Sequence, residues 1–312
     1  MFAQMCGIAG RTDDPEGTAV RAMCAMLRHR GPDDEGVYSD RDAGVSIGIR
    51  RLAVMDVEGG HQPLSNEDGS VWVSFNGEIY NHQRLREDLR ARGHTFATNA
   101  DTEVIVHLYE EYGDELVHAL EGMFALSLWD ERRRRLLIAR DRFGEKPMFL
   151  HERDGELTFA SELTALLEVT PQLRELEPRA IDAFFVFAYV PGPGTIVRGV
   201  RQLPPGHLLS WDREHGARER RWWSAGERDI SPPERFEPLV AEARRLFNES
   251  VRTRLVADVP VGVFLSGGVD STLVAVAAAE ESSQRLQTFT IGYDVGAVNE
   301  TCLLYTSPSP RD

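Results

Sequence analysis

The chain has 312 residues, 42% of them hydrophobic and 27% charged, which fits a soluble globular protein of two domains rather than one. Its formal net charge is −15, from 35 basic and 50 acidic side chains, which argues against nucleic acid or an anionic membrane as a general partner. No apolar run approaches the ~20 residues of a membrane span, the N-terminus lacks the pattern of a signal peptide, and three cysteines make no disulfide framework, so a cytoplasmic location is expected.

The opening, MFAQMCGIAG, places Cys6 after a second methionine and before Gly7, Ile8, Ala9 and Gly10. Cys6 reads in two ways. It is a small apolar residue entering a buried strand, or residues 1–5 are a leader or a miscalled start and Cys6 becomes the first residue, with a free α-amine beside its thiol. Cys24, in RAMCAML, reads as a helix core residue. VWVSFNGEIYN alternates Val71, Val73 and Phe75 against Trp72 and Ser74, a half-buried strand expected to stop at the Asn76-Gly77 turn pair. NHQRLREDLRARGHTF reads as a helix capped by Asn81, with Leu85 and Leu89 on one face and Gly93 at its end. DTEVIVHLYEEYG repeats the pattern, with Asp101 as cap and Gly113 as stop. MFALSLWD and RRLLIARD form a strand pair joined by an exposed basic turn at Arg132 to Arg134, and GELTFAS and GHLLSW are further strands. No Cys/His cluster has zinc spacing, and no metal site is assigned from the sequence.

The polar stretch 214–234 is the linker candidate, although Trp222 and Trp223 suggest packing. Beyond it, PLVAEARRLFNESVRTRL is an amphipathic helix. VPVGVFL is a continuous apolar run, expected to be a strand buried on both faces. SGGVDS is a turn, STLVAVAAAEE a helix and LQTFTIGY the next strand, so the order is that of a βαβ unit in a parallel sheet. A glycine-rich loop between a buried strand and a helix presents backbone N–H groups to phosphate oxygens. Gly267 and Gly268 allow close approach, Ser266 and Ser271 add hydroxyls, and Asp270 reads as a helix cap that could also orient a metal. The loop lacks the lysine of a Walker motif. The last eleven residues, CLLYTSPSPRD, read either as a natural Ser/Pro-rich tail or, back-translated in frame, as a sequencing adapter. The expectation is an adapter-derived tail at 302–312, with no function for Cys302.

In the order MCGIAG, LRHRGPDDEG, RRLAVMD, HQPLSN, FNGEIYN and ADTEV, the first part closely resembles class II glutamine amidotransferases. Followed by DVPVGVFLSGGVDS, whose loop looks like that of the ATP pyrophosphatases, residues 5 to 300 resemble the glutamine-hydrolysing asparagine synthetases. The resemblance implies an α+β N-terminal-nucleophile domain, an αββα sandwich, over 6–213. After the linker it implies an incomplete α/β doubly wound parallel-sheet domain over 235–301. It implies Cys6 as nucleophile, with its own α-amine as base, an amine of ordinary pKa ~8. Asn76 and Gly77 match the oxyanion hole, Arg51 the clamp on the glutamine α-carboxylate, Glu78 and Asp101 the holders of its α-ammonium, and Val54 a backbone contact. Ser266, Gly267, Gly268, Asp270 and Ser271 match the ATP loop, with Leu265 and Ile291 beside the adenosine. The partners implied are glutamine, ATP with Mg2+, and aspartate, which is adenylated and converted to asparagine, with release of AMP and pyrophosphate; a homodimer is the family's common state. His29, Arg30 and Asp33 of RHRGPD, and the RDRFGEKPMF segment, are read as architecture. The synthetase residues for aspartate and the second catalytic loop fall beyond residue 300 in that family, so these 312 residues are expected to bind ATP poorly and make no asparagine. Two alternatives stay open: a related ATP-dependent amidotransferase with another acceptor acid, and a non-catalytic glutamine-binding fragment.

Overall fold

A computed structural model describes residues 5–226, 236–282 and 285–292. The chain divides into two compact units, the first ending at Gly226.

In the first unit, β1 (Gly7–Arg11), α1 (Thr18–Met26), β2 (Asp34–Asp40) and β3 (Val45–Arg51) come first. They are followed by β4 (Leu64–Ser65), β5 (Val71–Ile79), α2 (His82–Ala91), α3 (Glu103–Tyr112) and α4 (Leu116–Ala119). Then come β6 (Gly122–Asp130), β7 (Arg135–Arg140), β8 (Phe149–Arg153), β9 (Glu156–Ala160), α5 (Leu163–Val169) and α6 (Pro178–Phe187), and finally β10 (Arg201–Gln202), β11 (His207–Asp212) and β12 (Gly216–Arg221). Two six-stranded antiparallel sheets result, ordered β10-β8-β9-β1-β3-β2 and β12-β11-β7-β6-β5-β4.

The strand alternation builds three apolar layers. Along β6 and β7, Leu126, Leu128, Leu137 and Ala139 face one way, into a core shared with Leu85 and Leu89 of α2 and Val104 and Leu108 of α3. Ala125, Trp129, Leu136 and Ile138 face the other way, against Ile8, Ile47, Ile49 and Phe159 of the first sheet. On that sheet's far side, Ala9 and Ala160 meet Val20, Met23, Cys24 and Leu27 of α1 and Leu166 of α5. The order is helix, sheet, sheet, helix, as the αββα expectation required.

Several local expectations are corrected. β5 does not stop at Asn76-Gly77. It runs on to Ile79, with Asn76 opposite Ala125 and Gly77 opposite Phe124. Glycine is needed there for space, since a Cβ on Gly77 would lie 2.1 Å from the Met123 carbonyl oxygen. Asn81 stands at the start of α2 without capping it; its side chain donates to Ala119 O (2.9 Å) and accepts from Glu121 N (3.1 Å). The domain boundary moves from 213 to 226, because β12 pairs with β11 along its whole length and Trp222 is buried in the helix-side core. Residues 227–234 of the expected linker, 1–4 of the expected leader, and 302–312 lie outside the described residues.

The second unit contains α7 (Glu237–Arg254), β13 (Gly262–Phe264), α8 (Val269–Glu281) and β14 (Gln287–Phe289). β13 and β14 pair in parallel across α8, as the βαβ reading required. Burial on both faces of VPVGVFL is not found. Among the described residues β13 has one neighbouring strand, and Phe264 is 69% exposed. Among the described residues, no helix is long and apolar enough to cross a membrane.

Candidate active site

Cys6 enters β1, which is held between β3 and β9. Its Sγ accepts from Leu52 N at 3.3 Å and donates to Leu52 O at 3.6 Å. Burial pushes the thiol pKa up; the Leu52 N–H opposes that, and the Glu78 carboxylate adds to it. Burial of Cys6 thus disfavours its thiolate form.

Around Cys6, one cavity is lined by Arg51, Val54, Gly77, Glu78 and Asp101, which the sequence had scattered over about a hundred positions. Asn76 and Glu78 share with Trp72 the face of β5 that is turned toward the other sheet. The Asn76 side-chain nitrogen is buried and has no hydrogen-bond partner among the described residues, a costly state for an amide unless a ligand satisfies it. Arg51 is buried, and its two terminal nitrogens donate to Met55 O (2.8 Å), Asp56 O (2.7 Å) and Val57 O (3.2 Å). Three of its five N–H groups are thus bonded to the 55–57 loop, and Arg51 also lines the cavity.

Glu78 and Asp101 are neighbouring acidic groups of this cavity. Burial raises both pKa values, and for Glu78 the neighbouring Asp101 charge raises it further while Lys146 opposes. Asp101 Oδ2 accepts from Ile79 N at 2.8 Å, which ties it to the end of β5. The residue at the start of α3 is Thr102, so Asp101 turns its carboxylate to the strand and the cavity.

Three further residues shape the site and were read as architecture or passed over. Arg30 donates from Nε to Cys6 O (3.0 Å) and from Nη1 to Glu162 Oε1 (3.0 Å), which fixes the Cys6 backbone. Gln62 accepts from Phe75 N (2.8 Å) and donates to Thr102 Oγ1 (3.1 Å), which braces the cavity floor. Lys146, from RDRFGEKPMF, is buried with its ammonium 3.4 Å from Met5 Sδ. Burial lowers its pKa, while Cys6 and Glu78 pull it back up. HQPLSN, RHRGPD and RDRFGEKPMF belong to the family-like pattern of the chain, but nothing in the sequence assigns their side chains to Cys6.

Residues 5–223 match the family described as glutamine amidotransferase domain, over more than half of the chain. The chain belongs to that family. Residues 242–302 match the family described as asparagine synthase, so the amidotransferase domain is followed by part of a second. The chain is 37% identical over 304 residues to asparagine synthetase [glutamine-hydrolyzing] 1 of Bacillus subtilis, covering 95% of this chain and 47% of that protein. It is 39% identical over 304 residues to asparagine synthetase [glutamine-hydrolyzing] 3 of Arabidopsis thaliana, covering 92% and 46%. It thus spans about half the length of the curated relatives it matches. In fold, it is similar to the solved glutamine phosphoribosylpyrophosphate amidotransferase of B. subtilis, with a TM-score of 0.54 at 20% identity over 93% of this chain and 67% of that one. The sandwich beneath the amidotransferase domain is therefore the N-terminal-nucleophile fold.

In the second unit, the SGGVDS segment is a tight turn from β13 into α8. Gly267 has φ +84°, a backbone that glycine adopts without strain. Ser266 and Ser271 bond through their hydroxyls at 2.9 Å, and Ser271 Oγ also accepts from Ser266 N at 3.2 Å. Gly268, not Asp270, is the residue that caps α8; Asp270 sits in the first turn, where its charge meets the positive helix end. Leu265 N donates to Phe289 O at 2.9 Å, and Ile291 lies 59% exposed beyond β14.

Proposed function

We propose that the first unit hydrolyses glutamine to glutamate and ammonia, with Cys6 as nucleophile, and that the second begins the ATP-binding domain of an asparagine synthetase. The observation that supports the first part most is the convergence of Cys6, Arg51, Gly77, Glu78 and Asp101 on one cavity, next to the partnerless Asn76 amide. In this reading the Cys6 sulfur attacks the side-chain amide carbon, and the thiol proton passes to the Cys6 α-amine. Asn76 Nδ2 and the Gly77 N–H hold the developing oxyanion. The amine returns its proton to the departing ammonia, and water then cleaves the thioester. Glu78 and Asp101 receive the substrate α-ammonium, whose charge offsets the repulsion between the two carboxylates. The free N–H groups of Arg51 hold the α-carboxylate, and Val54 lines the same wall.

The ATP assignment rests on the turn at Gly267, the Ser266 and Ser271 hydroxyls and the start of α8, which together fit a polyphosphate. Mg2+ is proposed to accompany those phosphates, with Asp270 as the nearby acid. Leu265 and Ile291 are proposed to flank the adenosine, and aspartate to be the acceptor that ammonia converts to asparagine. A cytoplasmic homodimer belongs to the same reading.

The test compares ammonia release from glutamine by two chains of verified mass, one beginning at Cys6 and one retaining Met5. The reading expects activity from the first alone, since a preceding residue converts the base into an amide. A folded chain that begins at Cys6 and releases no ammonia sinks it.

A further inference from the structure

Outside the active site, one cluster of side chains converges without a role in glutamine chemistry. Glu67 lies in the turn between β4 and β5, His94 follows α2, and His107 and Glu110 stand three residues apart on one face of α3. One donor atom from each of the four lies within 4.8 Å of the other three. The His94 Nδ1 is 3.3 Å from Glu67 Oε1 and 3.7 Å from Glu110 Oε2. The His107 Nδ1 is 3.3 Å from Glu67 Oε2 and 3.2 Å from Glu110 Oε2. With Zn–N and Zn–O bonds of about 2.0–2.2 Å, the edges of a tetrahedral site are about 3.3–3.6 Å. The four imidazole–carboxylate separations, 3.2–3.7 Å, lie near such edges, with Glu67 meeting the two imidazoles through different oxygens, so that a small closure of the four donors completes a tetrahedral shell.

The surroundings agree. A ligating imidazole turns its second nitrogen to a carboxylate or carbonyl, which fixes the tautomer. His94 Nε2 is 3.2 Å from Glu111 Oε1, and His107 Nε2 is 3.8 Å from Glu103 Oε1. The His94 Nδ1 is thereby directed to the centre, while the His107 Nδ1 faces Glu67 and Glu110 with its Nε2 beyond hydrogen-bond reach of Glu103. The two carboxylates are steadied too: Thr95 N donates to Glu67 Oε1 (2.9 Å), and Asn66 Nδ2 donates to Glu110 Oε1 (2.8 Å), the oxygen turned away from the imidazoles.

Charge points the same way. Glu67, Glu103, Glu110 and Glu111 supply four negative charges around two imidazoles. Arg86, 4.0 Å from Glu103, and Arg92, 3.0 Å from Glu111, offset two of them. Two remain, which a dication with neutral imidazoles balances. We infer that Glu67, His94, His107 and Glu110 form a divalent transition-metal site of zinc type, which pins the β4–β5 turn and the segment after α2 to α3. The site is structural in character, with four protein donors and a buried His107. Its three segments were far apart in the sequence, so no zinc spacing could be read there.

The test uses the full 312-residue chain, stripped with chelator and titrated with Zn2+, and separately with Co2+. The expected result is one equivalent bound at micromolar concentration or tighter. With Co2+, the visible bands of a tetrahedral nitrogen–oxygen site appear without the near-ultraviolet band of a thiolate. H94A and E67Q each lower the affinity at least 10-fold, and E111Q, which leaves the four donors intact, lowers it by about 10–100-fold. Zinc raises the melting midpoint of the wild type and not that of H94A. Absence of saturable binding, a weak octahedral cobalt spectrum, a thiolate band from Cys6 or Cys24, or unchanged affinity in both H94A and E67Q would each overturn the assignment. In that case the four groups pair only as imidazolium and carboxylate.

Discussion

Two side chains show how a site is built at residue scale. Asn76 is nearly fully buried with an unpaired amide nitrogen, so its packing provides for a ligand that the folded chain alone does not satisfy. N76A is expected to lower kcat for glutamine hydrolysis by about 10²–10³-fold, or roughly 3–4 kcal/mol, with little change in KM, in a chain that begins at Cys6. An equal loss appearing only in KM contradicts the oxyanion role. Glu78 is held in place at a cost to the fold. Burial, and Asp101 beside it, raise its pKa above the unfolded value of ~4.3. A raised carboxyl contributes stability that is full below the unfolded pKa and is lost as pH rises through the folded one. E78Q removes that loss. Its melting midpoint is expected to equal the wild type's near pH 4 and to exceed it at pH 8, by about 2–4 °C for each kcal/mol relieved, while glutamine binding weakens. A lower midpoint at pH 8 shows that Glu78 makes stabilising contacts instead.

The elements place these residues through strand register. β5 carries Asn76, Gly77 and Glu78 past the point where a turn was expected, because Met123 and Phe124 of β6 continue the ladder opposite them. Asn-Gly is a turn signal only where no neighbouring strand pairs with it. G77A is expected to destabilise the first unit by about 1–3 kcal/mol, read as a lower urea midpoint, because its methyl group collides with backbone that cannot rotate away. An unchanged midpoint excludes the tight approach of β6. The same β5 was legible as a strand from the alternation of Val71, Val73 and Phe75, which face the α2 and α3 side. The α8 turn was legible too, but its capping residue was not, since Gly268 and Asp270 are both compatible with a helix start until backbone angles are known.

At the scale of the whole molecule, every residue lining the cavity precedes Gly226, and the three apolar layers of the sandwich close within that unit. A chain running from Cys6 to Gly226 is expected to melt cooperatively and to release ammonia from glutamine at a rate within about threefold of the 312-residue chain starting at Cys6. Loss of either property places part of the glutaminase machinery in the second unit. A chain cut at 213 is expected to fail, because it lacks β12 and the buried Trp222.

The sequence by itself determined the family pattern and the period of most strands and helices, because both are written in a few neighbouring residues: Cys6 before its glycines, Leu85 and Leu89 one helical turn apart, SGGVDS between a strand and a helix. Tertiary structure alone decided which distant groups share a dielectric. Lys146 came to Met5 and the Cys6 thiol, Arg30 to the Cys6 carbonyl, Asp101 to Glu78, and His94 to His107. Desolvation and charge pairing depend on separation in space, and across two packed sheets that separation bears no simple relation to distance along the chain.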